Sequence, residues 1–526
     1  MSTAADTVHR ERHFEDHILD YLVREAPEAD RWLEGDPAAY DKERALYPED
    51  VIGWLREAEP EAWTKLEKLN KGNTETRVLD ALVKKLADPN PDVGGTLAVL
   101  RKGFSLAGGG TLRMSQPKPE DDRNEGALAR YAAHRFRVVR QLKYNPKREW
   151  SIDLVFFVNG LPVSTWELKS DFTQTVEDAV HQYRHDRLPK SPTGGAEPLL
   201  SFRRGALVHF AVSTSLVRMC THLKGEASFF LPFDRGNEGG KGNPISDDSN
   251  RYPVAYLWED VFRPAELLRL IHRFFLFESA KIEDANGRRT LRETMFFPRY
   301  HQWEAVTRLD AAVREEGVGG RYLLEHSAGS GKTNTIAWLC HSLIRMHEAD
   351  GSRRFSTVIV VTDRTVLDDQ LREAIRQIDH QEGVVEGIER AGGFDAQAKS
   401  GRLAEALLKE TPIVVVTIQT FPFAIEAILS ERSLADNNFA VVIDEAHTSQ
   451  TGQAAAKLRA ALSLEDEALA GLDATEIMAK LQAAREFPDN VSYFAFTATP
   501  KHATMTLFGR EDEDGDPKSF HHYSMR

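Results

Sequence analysis

The chain is poor in cysteine: its 526 residues include two, Cys220 and Cys340. Two thiols cannot build a disulfide framework, so the fold must rest on buried cores, and the composition fits a reducing cytoplasm. An excess of positive charge is also missing. The net charge is −14, so the surface as a whole does not attract nucleic acid, and any DNA contact is local, through basic stripes. Long apolar runs are missing too. The most apolar stretch, Leu267 to Phe277, is interrupted by Arg269, His272 and Arg273, which excludes a membrane span there. Met1 to Asp16 is polar and charged, with no apolar signal region. No internal repeat stands out.

What is present is enough apolar material for sizeable cores: 41% hydrophobic residues, with 27 Phe. The length suits about three domains. Residues 1–100 read as helices, with apolar stripes at Phe14, Ile18, Leu19 and Leu22 and at Val78, Leu79, Leu82 and Leu86. Beyond about residue 110 the pattern turns to strands. Trp150 to Val158 is one apolar run, Asn159-Gly160 signals a tight turn, and Leu161 to Leu168 is the returning strand. A helix is expected over 176–187, a strand over 207–213 and a helix over 261–277. Residues 279–294 are charged and read as a linker. From 295 onward strands at 321–325, 358–362, 413–417, 440–443 and 493–497 alternate with helices, the pattern of a parallel sheet. The expected organisation is an α/β domain over 1–278, a linker over 279–294 and a parallel-sheet domain over 295–526.

The second domain carries the clearest chemistry. The run from His326 to Thr333, His-Ser-Ala-Gly-Ser-Gly-Lys-Thr, follows a strand and opens a helix. Gly329 and Gly331, with Ser330 between them, let backbone N–H groups converge on phosphates. Lys332 reaches the β- and γ-oxygens, Thr333 ligates Mg2+, and the helix N-terminus adds its positive end. The first position of the usual pattern is Gly; here it is His326. Further on, Val441-Val442-Ile443-Asp444-Glu445-Ala446-His447 is a buried strand ending in two acids. An unpaired carboxylate there is costly, and a metal ion relieves the cost. Asp444 is therefore the expected metal ligand, and Glu445 the residue that orients the attacking water. These motifs resemble those of superfamily 2 helicases of the Asp-Glu-Ala-His type. The resemblance implies a RecA-like first lobe binding ATP and Mg2+. It assigns His447, Thr497 and Thr499, the last two in Phe496-Thr497-Ala498-Thr499-Pro500, to coupling between ATP state and DNA grip. It assigns Thr362-Asp363-Arg364 and Thr417-Ile418-Gln419-Thr420-Phe421 to DNA-strand contacts. Arg299-Tyr300-His301-Gln302 looks like the adenine-reading motif, with Arg299 and Gln302 at the base.

Upstream, Asp153 and Glu167 face each other across the Asn159-Gly160 hairpin. Glu167 and Lys169 are two apart and share a face, with Leu168 turned to the core. Two acids and an ammonium converge. Mg2+, a hard cation that activates water and steadies a leaving oxygen, takes carboxylates. The set is similar to the PD-(D/E)xK nucleases, with Ile152 where Pro is frequent. Asp153 and Glu167 are then metal ligands and Lys169 the cation at the transition state. Such nucleases often pair Gln and Tyr at a four-residue spacing in the next helix. Here Tyr183 directly follows Gln182, so only Gln182 is carried over. Glu15 is either a further acid at the metal or part of a solvated helix face. The run Arg135, Arg137, Arg140, Lys143, Lys147 and Arg148 is either a phosphate-contacting stripe or a set of salt-bridged strand edges.

Nuclease first and motor second, with Glu167-Leu168-Lys169-Ser170, Gln182 to Arg187, Phe230-Leu231-Pro232-Phe233 and Tyr256-Leu257-Trp258-Glu259, resembles the restriction subunit of type I restriction-modification enzymes. The resemblance implies modification (methyltransferase) and specificity subunits as partners, double-stranded DNA as substrate, ATP-driven DNA pumping and no membrane. Two other readings stay open: a repair-type nuclease-helicase acting without a methyltransferase, and a non-catalytic, nucleotide-gated DNA-binding module. Only 26 residues follow Pro500, whereas a second RecA-like lobe needs on the order of 150. The expectation is a truncated product or an expression fragment, lacking the second lobe and the C-terminal helical domain and weak or inactive as an ATPase.

Overall fold

A computed structural model of the chain describes residues 4–171, 174–190, 195–237, 240–248, 250–283, 289–362, 365–378, 384–387, 396–417, 421, 428, 434, 436–444, 489–511 and 515–524. Two compact units divide it, with the boundary between Arg299 and Tyr300.

The first unit is built on a seven-stranded sheet whose strands lie in chain order. They are β1 (Leu33–Glu34), β2 (Phe136–Lys143), β3 (Ser151–Val158), β4 (Leu161–Lys169), β5 (Val208–Ser213), β6 (Val217–Cys220) and β7 (Leu231–Pro232). The pairings β1–β2 and β4–β5 are parallel; the others are antiparallel. The turn between β3 and β4 needs positive φ at both central residues, and Asn159 (φ 50) and Gly160 (φ 80) supply it. Asn159 is fully buried: its Oδ1 accepts from the Arg135 N–H at 2.8 Å and its Nδ2 donates to the Met114 carbonyl at 2.8 Å. A Cβ on Gly160 would stand 2.4 Å from the Tyr47 carbonyl oxygen, so the turn also seats the N-terminal helices. The parallel step from β4 to β5 passes through helix α2 (Val176–His185), which follows α1 (Ala4–Asp20) as the second helix of the site. A Thr175/Asp178 capping box starts α2.

Of residues 279–294, expected as a linker, 279–283 and 289–294 lie in paired antiparallel strands, β8 (Leu276–Glu283) and β9 (Arg289–Phe296), with pairs from Leu276↔Phe296 to Glu283↔Arg289. The charged residues mask a strand pattern carried by Thr290, Leu291, Thr294, Met295 and Phe296. The helix expected over 261–277 likewise ends early. Pro264 opens it, helical backbone stops at Phe274, and Leu276 already begins β8.

The second unit is a seven-stranded, all-parallel sheet. Its strands are β10 (Arg321–His326), β11 (Thr357–Thr362), β12 (Val385–Gly387), β13 (Ile413–Thr417), β14 (Phe439–Ile443), β15 (Val491–Thr497) and β16 (His521–Tyr523), in spatial order β12-β13-β11-β14-β15-β10-β16. The central strands are nearly continuous runs of Val, Ile, Leu and Phe at 0–1% exposure, as a sheet covered on both faces requires. Helices α3 (Tyr300–Glu316) and α4 (Lys332–Ile344) pack with it. The five strands expected from the sequence are present; the two edge strands, three residues each, are additional.

Three histidines of the first unit, His209 buried and His134 and His272 half-buried, sit where desolvation favours the neutral ring. His134 Nε2 accepts from the Gln116 N–H at 3.1 Å, His272 Nε2 lies 2.8 Å from Ser115 Oγ, and His209 Nδ1 lies 2.7 Å from Thr165 Oγ1. Burial lowers them to about 4, about 3 and about 3. Unfolding restores an ordinary value near 6.5. The unfolded chain therefore binds protons first, and stability falls as pH drops from about 6.5 toward 4. At pH 5 each histidine costs roughly 2 kcal/mol. Thermal melts should show the transition of this unit dropping steeply between pH 7 and pH 5; a constant melting temperature over that range would contradict the neutral histidines.

Candidate active sites

The acids of the first unit meet where β3 and β4 part. The ladder pairs Leu154 with Trp166, and one residue earlier Asp153 uses its side chain instead. Its Oδ2 accepts from the Leu168 N–H at 2.7 Å and its Oδ1 from Gln141 Nε2 at 3.1 Å. Glu167 is fully buried, Lys169 is 8% exposed and Leu168 is buried. Burial first, then the Asp153 charge, pushes Glu167 well above the usual carboxylate range, against the pull of Arg187 and Lys169. Asp153, Glu167 and Lys169 are thus brought together.

Three partners of this cluster are not apparent from the sequence. Arg187 Nε donates to Glu167 Oε1 at 2.6 Å. Glu11 of α1 lies 3.6 Å from Lys169 Nζ, and burial raises its pKa, with Lys169 opposing. Gln141 bridges Asp153 and Glu15, donating to Glu15 Oε2 at 2.8 Å. Glu15 is 5% exposed and also accepts from Arg140 Nε at 2.8 Å, so it is no solvated face. Gln182 is not joined to the acids: its Oε1 is buried without a hydrogen-bond partner among the described residues. Tyr183, its neighbour, is buried and meets Thr165 Oγ1 at 2.9 Å. The basic run resolves largely into ion pairs: Arg135–Glu57, Arg137–Asp50 (2.6 Å), Arg140–Glu15 and Lys143–Glu149. Arg148 stacks on Trp150. Arg135, Arg137 and Arg140 are thus salt-bridged strand residues, while Lys143, Lys147 and Arg148 are exposed.

A metal ion fits the acid pair on one observation. Glu167 Oε2 is buried and has no hydrogen-bond partner among the described residues, on a carboxylate already crowded by Asp153. Among the described residues no group of three or more His, Cys, Asp or Glu is arranged to hold a metal. Mg2+ commonly takes only one or two protein carboxylates and completes its shell with water and substrate phosphate, so Asp153 and Glu167 suffice.

In the second unit the carboxyl ends of β10, β14 and β15 gather the expected nucleotide residues at one edge of the sheet. Gly329 (φ 79) and Gly331 (φ 85) hold the left-handed backbone that the loop needs. Lys332 opens α4, 8% exposed, and its Nζ donates to the His326 carbonyl at 3.3 Å. Thr333 is half-buried in the first turn and Ser330 is buried. Gln302 sits on the loop: its Nε2 donates to the Gly331 carbonyl at 3.0 Å, and His301 Nε2 lies 3.0 Å from the Ser330 carbonyl. The expected base-reading amide is therefore engaged by the phosphate loop itself. Arg299, half-buried, immediately precedes α3. Asp444 follows β14, its N–H bonded to the Val361 carbonyl at 3.0 Å. Thr497 is buried at the end of β15, and its Oγ1 accepts from the Thr499 N–H at 3.3 Å. Glu445, His447, Asp363, Arg364, Ile418, Gln419 and Thr420 lie outside the described residues.

His326, at the atypical first loop position, is fully buried. Its Nε2 lies 2.9 Å from His521 Nδ1 of the edge strand β16. Tyr523 stacks on His301 at 3.6 Å between ring centroids, and its carbonyl accepts from the Ser327 N–H at 3.1 Å. The edge strand missed from sequence thus braces the loop.

Residues 50–228 match the family model described as type I restriction enzyme R protein N terminus, and residues 301–526 match SWI2/SNF2 ATPase. A curated relative, the HindI endonuclease subunit of a type I restriction enzyme from Haemophilus influenzae, is 26% identical over 332 residues, 61% of this chain and 28% of the relative. The SauMSSORF170P endonuclease subunit from Staphylococcus aureus is 23% identical over 425 residues, 79% of this chain and 38% of the relative. The chain therefore spans well under half the length of these relatives. Among solved structures, T4 UvsW aligns over 41% of this chain and 32% of its own, at 15% identity and a TM-score of 0.23. A Sulfolobus solfataricus SWI2/SNF2 ATPase core solved with double-stranded DNA aligns over 40% of this chain and 36% of its own, at 14% identity and a TM-score of 0.25. Among the described residues no helix is long and apolar enough to cross a membrane. A match to the R-protein N-terminal domain, followed by a match to an SNF2-type ATPase domain on a parallel sheet, together with relatives that are endonuclease subunits of type I restriction enzymes, supports a type I R subunit, N-terminal portion.

Proposed function

We propose that this chain supplies the nuclease and the first motor lobe of an ATP-driven enzyme that translocates and cleaves double-stranded DNA, working with modification and specificity subunits. The observation that carries the nuclease half is the buried Glu167 carboxylate, with one oxygen held by Arg187, the other unpartnered among the described residues, and Asp153 and Lys169 near enough for their charges to act on it. A PD-(D/E)xK-type domain over residues 1–278, leading into the ATPase domain, is the organisation that this site supports. Asp153 and Glu167 would hold Mg2+, which supplies an activated water and steadies the leaving oxygen. Lys169 places its ammonium toward the phosphate charge, and Glu11 at 3.6 Å keeps that side chain extended toward the acids. Gln182 points an unpartnered oxygen from α2 and is the least engaged of the set.

In the motor half, the 327–331 backbone and Lys332 take the ATP phosphates, while Thr333 and Asp444 hold its Mg2+. Glu445 orients water, and His447, Thr497 and Thr499 relay nucleotide state. Arg299 and Gln302 lie on the base side. Gln302 Nε2 donates to the Gly331 carbonyl at 3.0 Å, so a base read by this amide is linked directly to the loop geometry. The test is reconstitution of the full-length R subunit with its modification and specificity subunits. ATP-dependent cleavage of unmethylated DNA, absent on methylated DNA, is the expected result. Cleavage without association with a methyltransferase would favour a repair-type nuclease-helicase instead.

A further inference from the structure

Resting on the nuclease reading above, we propose that Arg187 is a positioning residue, which fixes Glu167 so that one carboxylate oxygen serves the protein and the other serves the metal. The guanidinium is itself fixed. Helix α2 starts at a capping box and packs on β4 through Tyr183, whose hydroxyl meets Thr165 Oγ1 at 2.9 Å. At the far end of α2 the Arg187 N–H donates to the Gln182 carbonyl at 3.0 Å. From that anchored backbone the side chain, 11% exposed, delivers Nε to Glu167 Oε1 at 2.6 Å. Thr165 and Glu167 are two apart on β4, so the Tyr183 contact and the Arg187 contact address the same face of the strand.

The consequence lies in the other oxygen. Glu167 is wholly buried and Oε2 has no hydrogen-bond partner among the described residues, although its neighbours include Asp153. A carboxylate tied at one oxygen can swing little, so Oε2 needs little reorganisation when the cation arrives, and Asp153 is near enough for its charge to act on Glu167. A buried ion pair made only for stability would be expected to satisfy both oxygens, since a desolvated lone pair costs free energy. Here the pair leaves one open beside a second acid. Outer partners that orient a metal-binding carboxylate change metal affinity by about 10- to 100-fold when removed. Arg187 also follows the run Gln182-Tyr183-Arg184-His185-Asp186, so its position at the end of α2, not the glutamine, is what connects that helix to the acids.

The test uses the purified chain, freed of metal. Mn2+ binding is measured by calorimetry for the wild type, Arg187→Met, Arg187→Lys and Glu167→Gln, with thermal melting and ATP binding as controls. Arg187→Met should weaken Mn2+ binding about 10- to 100-fold and raise the metal concentration needed for half-maximal plasmid nicking by a similar factor, while ATP binding is unchanged. Arg187→Lys, which retains a cation but not the planar fork, should fall between, and it keeps the test sound if the methionine variant folds poorly. Wild-type Mn2+ affinity and metal dependence in both folded variants would overturn the proposal and leave Arg187 a structural ion pair. If instead the wild type binds no Mn2+ that Glu167→Gln removes, the nuclease reading itself fails, and this proposal with it.

Discussion

Lys332→Ala in the full-length subunit should lower ATP hydrolysis by about 10²–10³-fold or more, because the transferring phosphoryl group loses the cation placed against it. The fold should survive. Lys332 is 8% exposed at the start of α4, in the phosphate loop, and its amine donates to the His326 carbonyl at 3.3 Å. ATP-dependent DNA cleavage should vanish with hydrolysis although Asp153, Glu167 and Lys169 are untouched. Steady-state ATP turnover with and without duplex DNA reads the first effect, and cleavage of a specific substrate the second. Wild-type turnover in Lys332→Ala would show that the loop does not work as its geometry implies.

The second large effect is on cleavage alone. Lys169→Ala should reduce DNA cutting by about 10²–10³-fold through loss of the cation at the transition state, and ATP hydrolysis should persist. At Glu167 the informative change is glutamine. Alanine would strand the Arg187 guanidinium, which is 11% exposed, and removing one partner of a buried pair costs about 3–5 kcal/mol. Lost activity could then be lost folding. Glu167→Gln keeps an acceptor for Arg187 and removes the metal-binding charge, so cleavage should fall while the melting temperature moves little. Unchanged cleavage in Glu167→Gln would remove this carboxylate from the chemistry.

The hairpin that carries the acids was legible because two local signals agree. Asn159-Gly160 dictates a positive-φ turn, and the apolar runs on either side need burial. The motor sheet was legible from five apolar strands punctuated by a glycine loop and an acid pair. The edge strands escaped because three residues such as His521–Tyr523 bury too little to show a period, and their places come from bonding to β13 for β12 and to β10 for β16. The hairpin over 276–296 escaped because its charges resemble a linker, while its pairing is set by backbone hydrogen bonds. Arg187 escaped for another reason. A helix end and a strand twenty positions apart meet only through tertiary packing, and Gln182 offered a closer match to a known pattern. Glu11 and Glu15 sit one turn apart on α1; sequence alone cannot say that one meets Lys169 and the other Gln141 and Arg140.

The most direct measurement is nicking of supercoiled plasmid by the purified 526-residue chain, with Mg2+ or Mn2+ and without ATP, for the wild type and Lys169→Ala side by side. The account predicts slow nicking by the wild type that chelation abolishes and that Lys169→Ala lacks, with equal ATP binding by both proteins. Nicking by Lys169→Ala at the wild-type rate would contradict it.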